Sequence, residues 1–171
     1  QLTQALAALS ADAVGFDGGA MTNQPALTIG AVAHPYMRPM ELNLIRLEKK
    51  ISAGARFLLT QAVFDVPAFA EWLEAVRQAG LDKRARIIAS VLPLTGVERA
   101  RDLAAKGTYG PVGDEVIDRL TKASDAAAEG VAICAEIAGQ LKAMPGVCGI
   151  HILCGGCEEA ADRVIRQAGL A

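Results

Sequence analysis

Residues 28–66 read TIGAVAHPYMRPMELNLIRLEKKISAGARFLLTQAVFDV, and this stretch decides the fold. Thr28 to Ala33 is a β-rich apolar run that stops at His34-Pro35, and Phe57 to Thr60 is a second that stops at Gln61. Between them Met40 to Ala53 has helical spacing, with Leu44, Leu47 and Ile51 on one stripe and Gly54 in the position just past a helix end. The pattern predicts a βαβ unit, hence parallel strands and a right-handed crossover. Ligands of parallel α/β folds bind beyond the carboxyl ends of the strands, where loops are free to carry chemistry. His34 and Gln61 are therefore site candidates by position.

The alternation continues outward from this unit. Asp65 before Val66-Pro67 predicts a capped helix start, and Phe69, Trp72, Leu73 and Val76 give that helix one buried stripe, ended by Gly80. Arg86 to Leu92 is a third strand. Thr95 and Glu98 have the spacing of a capping box for a helix over Val97 to Ala105. Asp114 to Ala123 is a further helix. Ser124 is placed to cap a longer one reaching Ala143, with Ile133, Ile137 and Leu141 inward. Cys148 to Leu153 is the fourth strand and Glu158 to Ala168 the closing helix, ended by Gly169. Strict alternation predicts a parallel sheet covered on both faces or a closed barrel. Four such units make about half of an eight-stranded barrel of roughly 250 residues, which leaves two open edges unless the chain folds in a flavodoxin-like way.

Composition bounds the function classes. The 171 residues are 52% hydrophobic and 21% charged, enough for one domain with a buried core. A net charge of −2 and a pI near 5.7 provide no basic stripe for nucleic acid or an anionic membrane. The apolar runs are strand-length, well short of the roughly 20 residues that span a bilayer. The chain opens on QLTQALAALSA, already helical in spacing and without a start methionine or cap, which suggests a piece of a longer protein and is equally what trimming or a partial gene produces. The four cysteines, Cys134, Cys148, Cys154 and Cys157, crowd into one quarter of the chain with no secretory signal, which favours a reducing cytoplasm over a disulfide framework.

Several side chains could carry chemistry. Asn43, Arg46 and Lys50 follow i, i+3, i+7 spacing and share a helix face. Two cations and an amide there suit the phosphate and ribose of a nucleotide-like cofactor, or else form a solvated face, since Glu48 and Lys49 are charged as well. His34 either contacts a cofactor ring or simply ends a strand before a proline. Gln61 offers a donor and an acceptor for a heteroaromatic amide edge, or serves as a buried structural amide. Cys154-Gly155-Gly156-Cys157 follows the last strand, and C-x-x-C binds metal, cycles as a dithiol, or supplies small residues to a tight turn. His151, between Ile150 and Ile152, is a core or layer residue. No Ser/His/Asp set, P-loop, H-E-x-x-H or G-x-G-x-x-G fingerprint is present.

IGAVAHP followed by RLEKKISAGARFLLTQAVFDV resembles the flavin-dependent methylenetetrahydrofolate reductases, most of all the short form of anaerobic bacteria. The resemblance continues through IIASVLPLTG, GPVGDEVIDRL and GVCGIHILCGGCEEAADRVIRQAGL, with AGARFLLTQAVFD its most specific run. It implies the second half, about strands five to eight, of a (βα)8 TIM barrel, with residues 1–171 as a single partial domain. It also implies a cytoplasmic oxidoreductase of one-carbon metabolism that reduces 5,10-methylenetetrahydrofolate to 5-methyltetrahydrofolate with FAD or FMN, and NAD(P)H or another donor as the electron source. By the resemblance, Lys50 occupies a flavin-phosphate position, Arg46 and Asn43 lie at neighbouring flavin positions, His34 stands beside the isoalloxazine, and Gln61 holds the pterin of the folate substrate. The family's catalytic glutamate and a partnering aspartate belong to the first and fourth barrel strands, so the resemblance assigns no catalytic acid to this chain. Short-form relatives also imply a homo-oligomer or an electron-donating partner subunit. The competing reading is a noncatalytic subunit or electron-transfer contact module that uses the CGGC pair for metal or partner binding.

Overall fold

The computed structural model describes residues 2–15, 17–107, 109–155 and 157–170. Among these residues four strands, β1 (Gly30–Ala33), β2 (Phe57–Ala62), β3 (Arg86–Val91) and β4 (Val147–Ile152), are interleaved with seven helices. These are α1 (Leu2–Asp12), α2 (Met40–Ser52), α3 (Val66–Gln78), α4 (Val97–Lys106), α5 (Asp114–Lys122), α6 (Ala126–Lys142) and α7 (Glu158–Gln167). Every strand pair is parallel and the sheet order is β1-β2-β3-β4. A flavodoxin-like sheet reverses its strand order partway, so the sequential order excludes that alternative. With right-handed crossovers, sequential order also sends each connecting helix to the same side of the sheet.

Burial agrees with that geometry. Ala33, Leu58, Ala62, Ile87, Ala89 and Val91 are buried in one core with Leu47 and Ile51 of α2, Phe69, Trp72 and Val76 of α3, and Ile137 and Leu141 of α6. The Phe69 and Trp72 rings meet at 5.4 Å in a tilted pair. On the opposite face Val32 is 50% exposed and Phe57, Leu59, Ile88 and His151 are half-buried. The Phe57 ring lies across Gly30, where a Cβ would stand 2.3 Å from the ring carbons. The sheet is thus covered by helices on one face only, as in one wall of an α/β barrel. The expectation of a sheet covered on both faces gives way to this arrangement.

Local signals account for most boundaries. The Asp65 carboxylate accepts from Ala68 N–H at 2.9 Å, with proline in the first turn of α3, as its sequence position implies. Gly54 follows α2 with φ +110° and Gly80 follows α3 with φ +67°. Two caps differ from expectation. Gly96, not Thr95, precedes α4, and no side chain caps it, so the capping box does not form. Asp125 rather than Ser124 caps α6, its carboxylate accepting from both Ala127 and Ala128 N–H at 3.0 and 2.9 Å. The carboxylate satisfies two of the unpaired first-turn donors at once.

The ladders carry two irregularities. Between β2 and β3, Leu59 pairs with Ile88 and Ala62 with Ser90, so β2 holds one extra residue. Thr60 fills the gap, its hydroxyl accepting from Ser90 N–H at 2.9 Å and donating to the Gln61 carbonyl at 2.8 Å. As a result β2 runs past Gln61 to Ala62 instead of stopping before it. Between β3 and β4 the pairs Ile87–Val147 and Ile88–Gly149 leave Cys148 as the extra residue, and β4 begins one position before it.

Candidate functional site

A cleft of about 700 Å³ opens where the carboxyl ends of β1 and β2 meet the α4–α5 connection. His34, Tyr36, Met37, Arg46 and Gln61 line one side, and Ala104, Gly107, Gly110 and Pro111 the other. Three of the five residues singled out in the sequence, His34, Arg46 and Gln61, therefore converge on one cavity. His34 is exposed at the strand end and Gln61 half-buried beside the Thr60 bulge. Bulges commonly re-aim a side chain next to a site.

Asn43 sits beneath this cleft rather than in its lining. It is 1% exposed, and its amide nitrogen donates to the His34 carbonyl at 2.7 Å and the Met37 carbonyl at 3.2 Å. Helical spacing puts it on the margin of the apolar stripe, and burial turns it inward to tie the β1–α2 loop to α2. One turn on, Arg46 emerges to the cleft and donates to the Met37 sulfur at 3.0 Å. Among the described residues it pairs with no carboxylate.

Lys50 is half-buried and donates to the Val32 carbonyl. Burial first, and then the nearby Arg46 charge, lower its pKa from the ordinary lysine value. The two cations thus share one helix face with no acid between them, an arrangement that an anion would relieve.

Tyr36 and Gly110 were not anticipated from the sequence. The Tyr36 hydroxyl donates to the Asp65 carbonyl at 3.1 Å, bridging the β1 and β2 ends. Burial, reinforced by the Asp65 charge, holds its pKa well above the usual tyrosine value. Gly110 has φ +116°, and a Cβ there would lie 2.6 Å from Tyr36 Cε2 and 3.0 Å from the Ala62 carbonyl oxygen. The loop wall of the cleft consequently rests on the tyrosine ring through a residue without a side chain. The dipeptides Pro35-Tyr36 and Gly110-Pro111 were the only local hints, and they specify turns rather than partners.

The remaining candidates lie elsewhere. His151 Nδ1 and the Ser90 hydroxyl are 3.1 Å apart on the uncovered sheet face. Cys134 is buried, and burial pushes its thiol up to about 12, whereas Cys148 and Cys157 are exposed and Cys154 half-buried. Gly156 of the CGGC turn lies outside the described residues. No group of three or more metal-ligating side chains occurs among the described residues. No helix among them is long and apolar enough to cross a membrane.

Comparison with known proteins gives a family match. A family model described as methylenetetrahydrofolate reductase matches residues 25–169. Methylenetetrahydrofolate reductase 2 of Saccharomyces cerevisiae is 37% identical over 73 residues, 39% of this chain and 12% of its own. The 5,10-methylenetetrahydrofolate reductase of Escherichia coli is 31% identical over 71 residues, 42% of this chain and 23% of its own. A probable methylenetetrahydrofolate reductase (NADPH) of Caenorhabditis elegans is 25% identical over 143 residues, 81% of this chain and 21% of its own. Among solved structures, an uncharacterized Clostridium thermocellum protein that binds two copies of 5-methyl-5,6,7,8-tetrahydrofolic acid superposes with TM-score 0.60 at 21% identity. That superposition covers 83% of this chain and 52% of the other, and at such identity it reports on fold alone. The chain spans less than a quarter of the length of these three relatives and about half of that solved chain.

Proposed function

The chain belongs to the methylenetetrahydrofolate reductase family, and we propose that it forms the second half of a (βα)8 barrel that reduces 5,10-methylenetetrahydrofolate to 5-methyltetrahydrofolate with a bound flavin. The observation that carries this reading is the convergence of His34, Arg46 and Gln61 on one cleft at the carboxyl ends of adjacent parallel strands. Such ends are where α/β folds place their chemistry. The sequential half-sheet with one uncovered face supports the half-barrel part, because closing a barrel requires strands on both edges and makes that face the packed interior.

The residues present fit a flavin. The cleft has the volume of an ordinary cofactor or ligand site. Arg46 and Lys50 offer two cations without an acidic partner between them, suited to a phosphate that one grips in a fork and the other meets as a point charge. Asn43 holds the loop that carries His34, so it positions the ring-side residue from below. Gln61, at the bulge, presents its amide to the pterin edge. A bound flavin would supply the hydride chemistry, while the protein orients the two ring systems and screens them from water. The electron donor, whether NAD(P)H or a partner subunit, acts from outside these residues, and the acid that protonates substrate belongs to the other barrel half.

Flavin uptake tests the reading. The protein at its full encoded length, with any chain that copurifies with it, is titrated with FMN and with FAD in separate arms. Saturable quenching of flavin fluorescence in one arm, weakened at least tenfold by Arg46→Ala, is the expected result. A folded protein that binds neither flavin removes the assignment. A full-length protein with no further βα units in its own chain or in a chain that copurifies with it removes the half-barrel.

A further inference from the structure

Cys154 and Cys157 are used neither by the core nor by the cleft. The Cys157 N–H donates to the Cys154 carbonyl at 3.0 Å, which joins the end of β4 to the start of α7. An N–H-to-carbonyl bond between residues three apart goes with Cα atoms within about 7 Å of each other. A disulfide spans Cα atoms about 4.4 to 6.8 Å apart. Gly155 takes the left-handed conformation at φ +61°, which a side chain would resist. Both thiols are free, Cys157 exposed and Cys154 half-buried. The other two cysteines contrast with them: Cys134 is sealed in the core, and Cys148 is exposed on a strand bulge at the opposite end of β4.

We infer that Cys154 and Cys157 form a dithiol site that exchanges with disulfide substrates and closes reversibly into an intramolecular disulfide. The accessible Cys157 thiolate attacks one sulfur of an incoming disulfide RSSR, forming Cys157–S–SR and releasing the first RSH. Cys154 then gives its proton to solvent and attacks the Cys157 sulfur, forming the Cys154–Cys157 bond and expelling the second RSH. Two electrons pass from the cysteine pair to RSSR, which leaves as two thiols. The exposed residue is the attacking one and the half-buried residue the resolving one, because an incoming disulfide reaches Cys157 first. Closing the pair ties the end of β4 to α7 at the same carboxyl end of the sheet as the cleft.

The test is equilibration of the reduced full-length protein with glutathione buffers of increasing disulfide fraction, followed by alkylation and fragment-resolved mass spectrometry. Cys148 serves as an internal exposed thiol. The expected result is that Cys154 and Cys157 lose their two hydrogens together at a disulfide fraction where Cys148 takes up separate glutathione, and that dithiothreitol restores both thiols. In Cys154→Ser the mixed glutathione disulfide should instead persist on Cys157. Two separate glutathione adducts on the pair, or a pair left reduced where Cys148 is already modified, would overturn the proposal. So would a mixed disulfide in Cys157→Ser that accumulates on Cys154 as fast as the reverse variant's does on Cys157.

Discussion

The Lys50 ammonium donates to the carbonyl of Val32 on the open edge of β1. Ile29 accepts from Arg56 N–H and so points its carbonyl toward β2; because carbonyls alternate along a strand, the Val32 carbonyl points the other way. Lysine there occupies the place a neighbouring strand's N–H would take in a closed barrel, a common way to guard an edge. In the complete barrel we propose, that neighbour frees Lys50 for the cofactor phosphate.

The same contact has a pH signature. With its pKa lowered by burial and by Arg46, folded Lys50 holds fewer protons than unfolded lysine in the window ending at the ordinary value of 10.5. Stability therefore rises with pH in that window. Lys50→Met should flatten the rise in a denaturant series across alkaline pH, and should also weaken flavin retention. An unaltered slope would discount the burial of this lysine.

Tyr36 acts in the opposite sense. Its raised pKa means that unfolded tyrosine ionises first above 10.0 while the folded ring keeps its proton, so this contribution to stability declines as pH rises past that value. Tyr36→Phe should remove the alkaline loss and cost about 0.5 to 1.5 kcal/mol at neutral pH, the worth of its bond to the Asp65 carbonyl. Thermal or urea unfolding at neutral and alkaline pH measures both.

Gly110→Ala puts a methyl against the Tyr36 ring at a backbone angle that L-residues resist. We expect a loss of about 1 to 3 kcal/mol and a narrowed cleft. Weakened flavin or folate binding beyond what the stability loss explains would place Gly110 in the wall; unchanged binding would separate the loop from the site.

Asn43→Ala removes two hydrogen bonds from a buried position and leaves the His34 and Met37 carbonyls without that donor. A loss of about 1 to 3 kcal/mol follows. If Asn43 positions His34, flavin affinity falls in Asn43→Ala and is partly restored in Asn43→Asp only where the aspartate is protonated, a dependence that simple destabilisation would not produce.

Gln61→Ala should weaken folate binding at least tenfold with little change in flavin affinity, read by titration with 5-methyltetrahydrofolate. Equal losses for both ligands would place Gln61 in the scaffold at the Thr60 bulge rather than against the pterin.

The βα order, the apolar stripes of α2 and α3, the Asp65 cap and the glycines after α2 and α3 were all legible in the sequence, because each depends on periodicity or on chemistry within a few residues. The same local logic selected His34, Arg46 and Gln61, since strand ends and helix faces can be read from spacing. It did not give the caps of α4 and α6 correctly, where neighbouring residues compete for one position and only backbone geometry decides. Tertiary structure alone decided the sequential strand order and the bare sheet face. It also closed the β2 bulge with Thr60 against Ser90, turned Asn43 inward, set Lys50 on Val32, and brought Tyr36 against Gly110. Each of these joins side chains and backbone that sequence spacing alone does not pair, and only the packed sheet brings them within bonding distance.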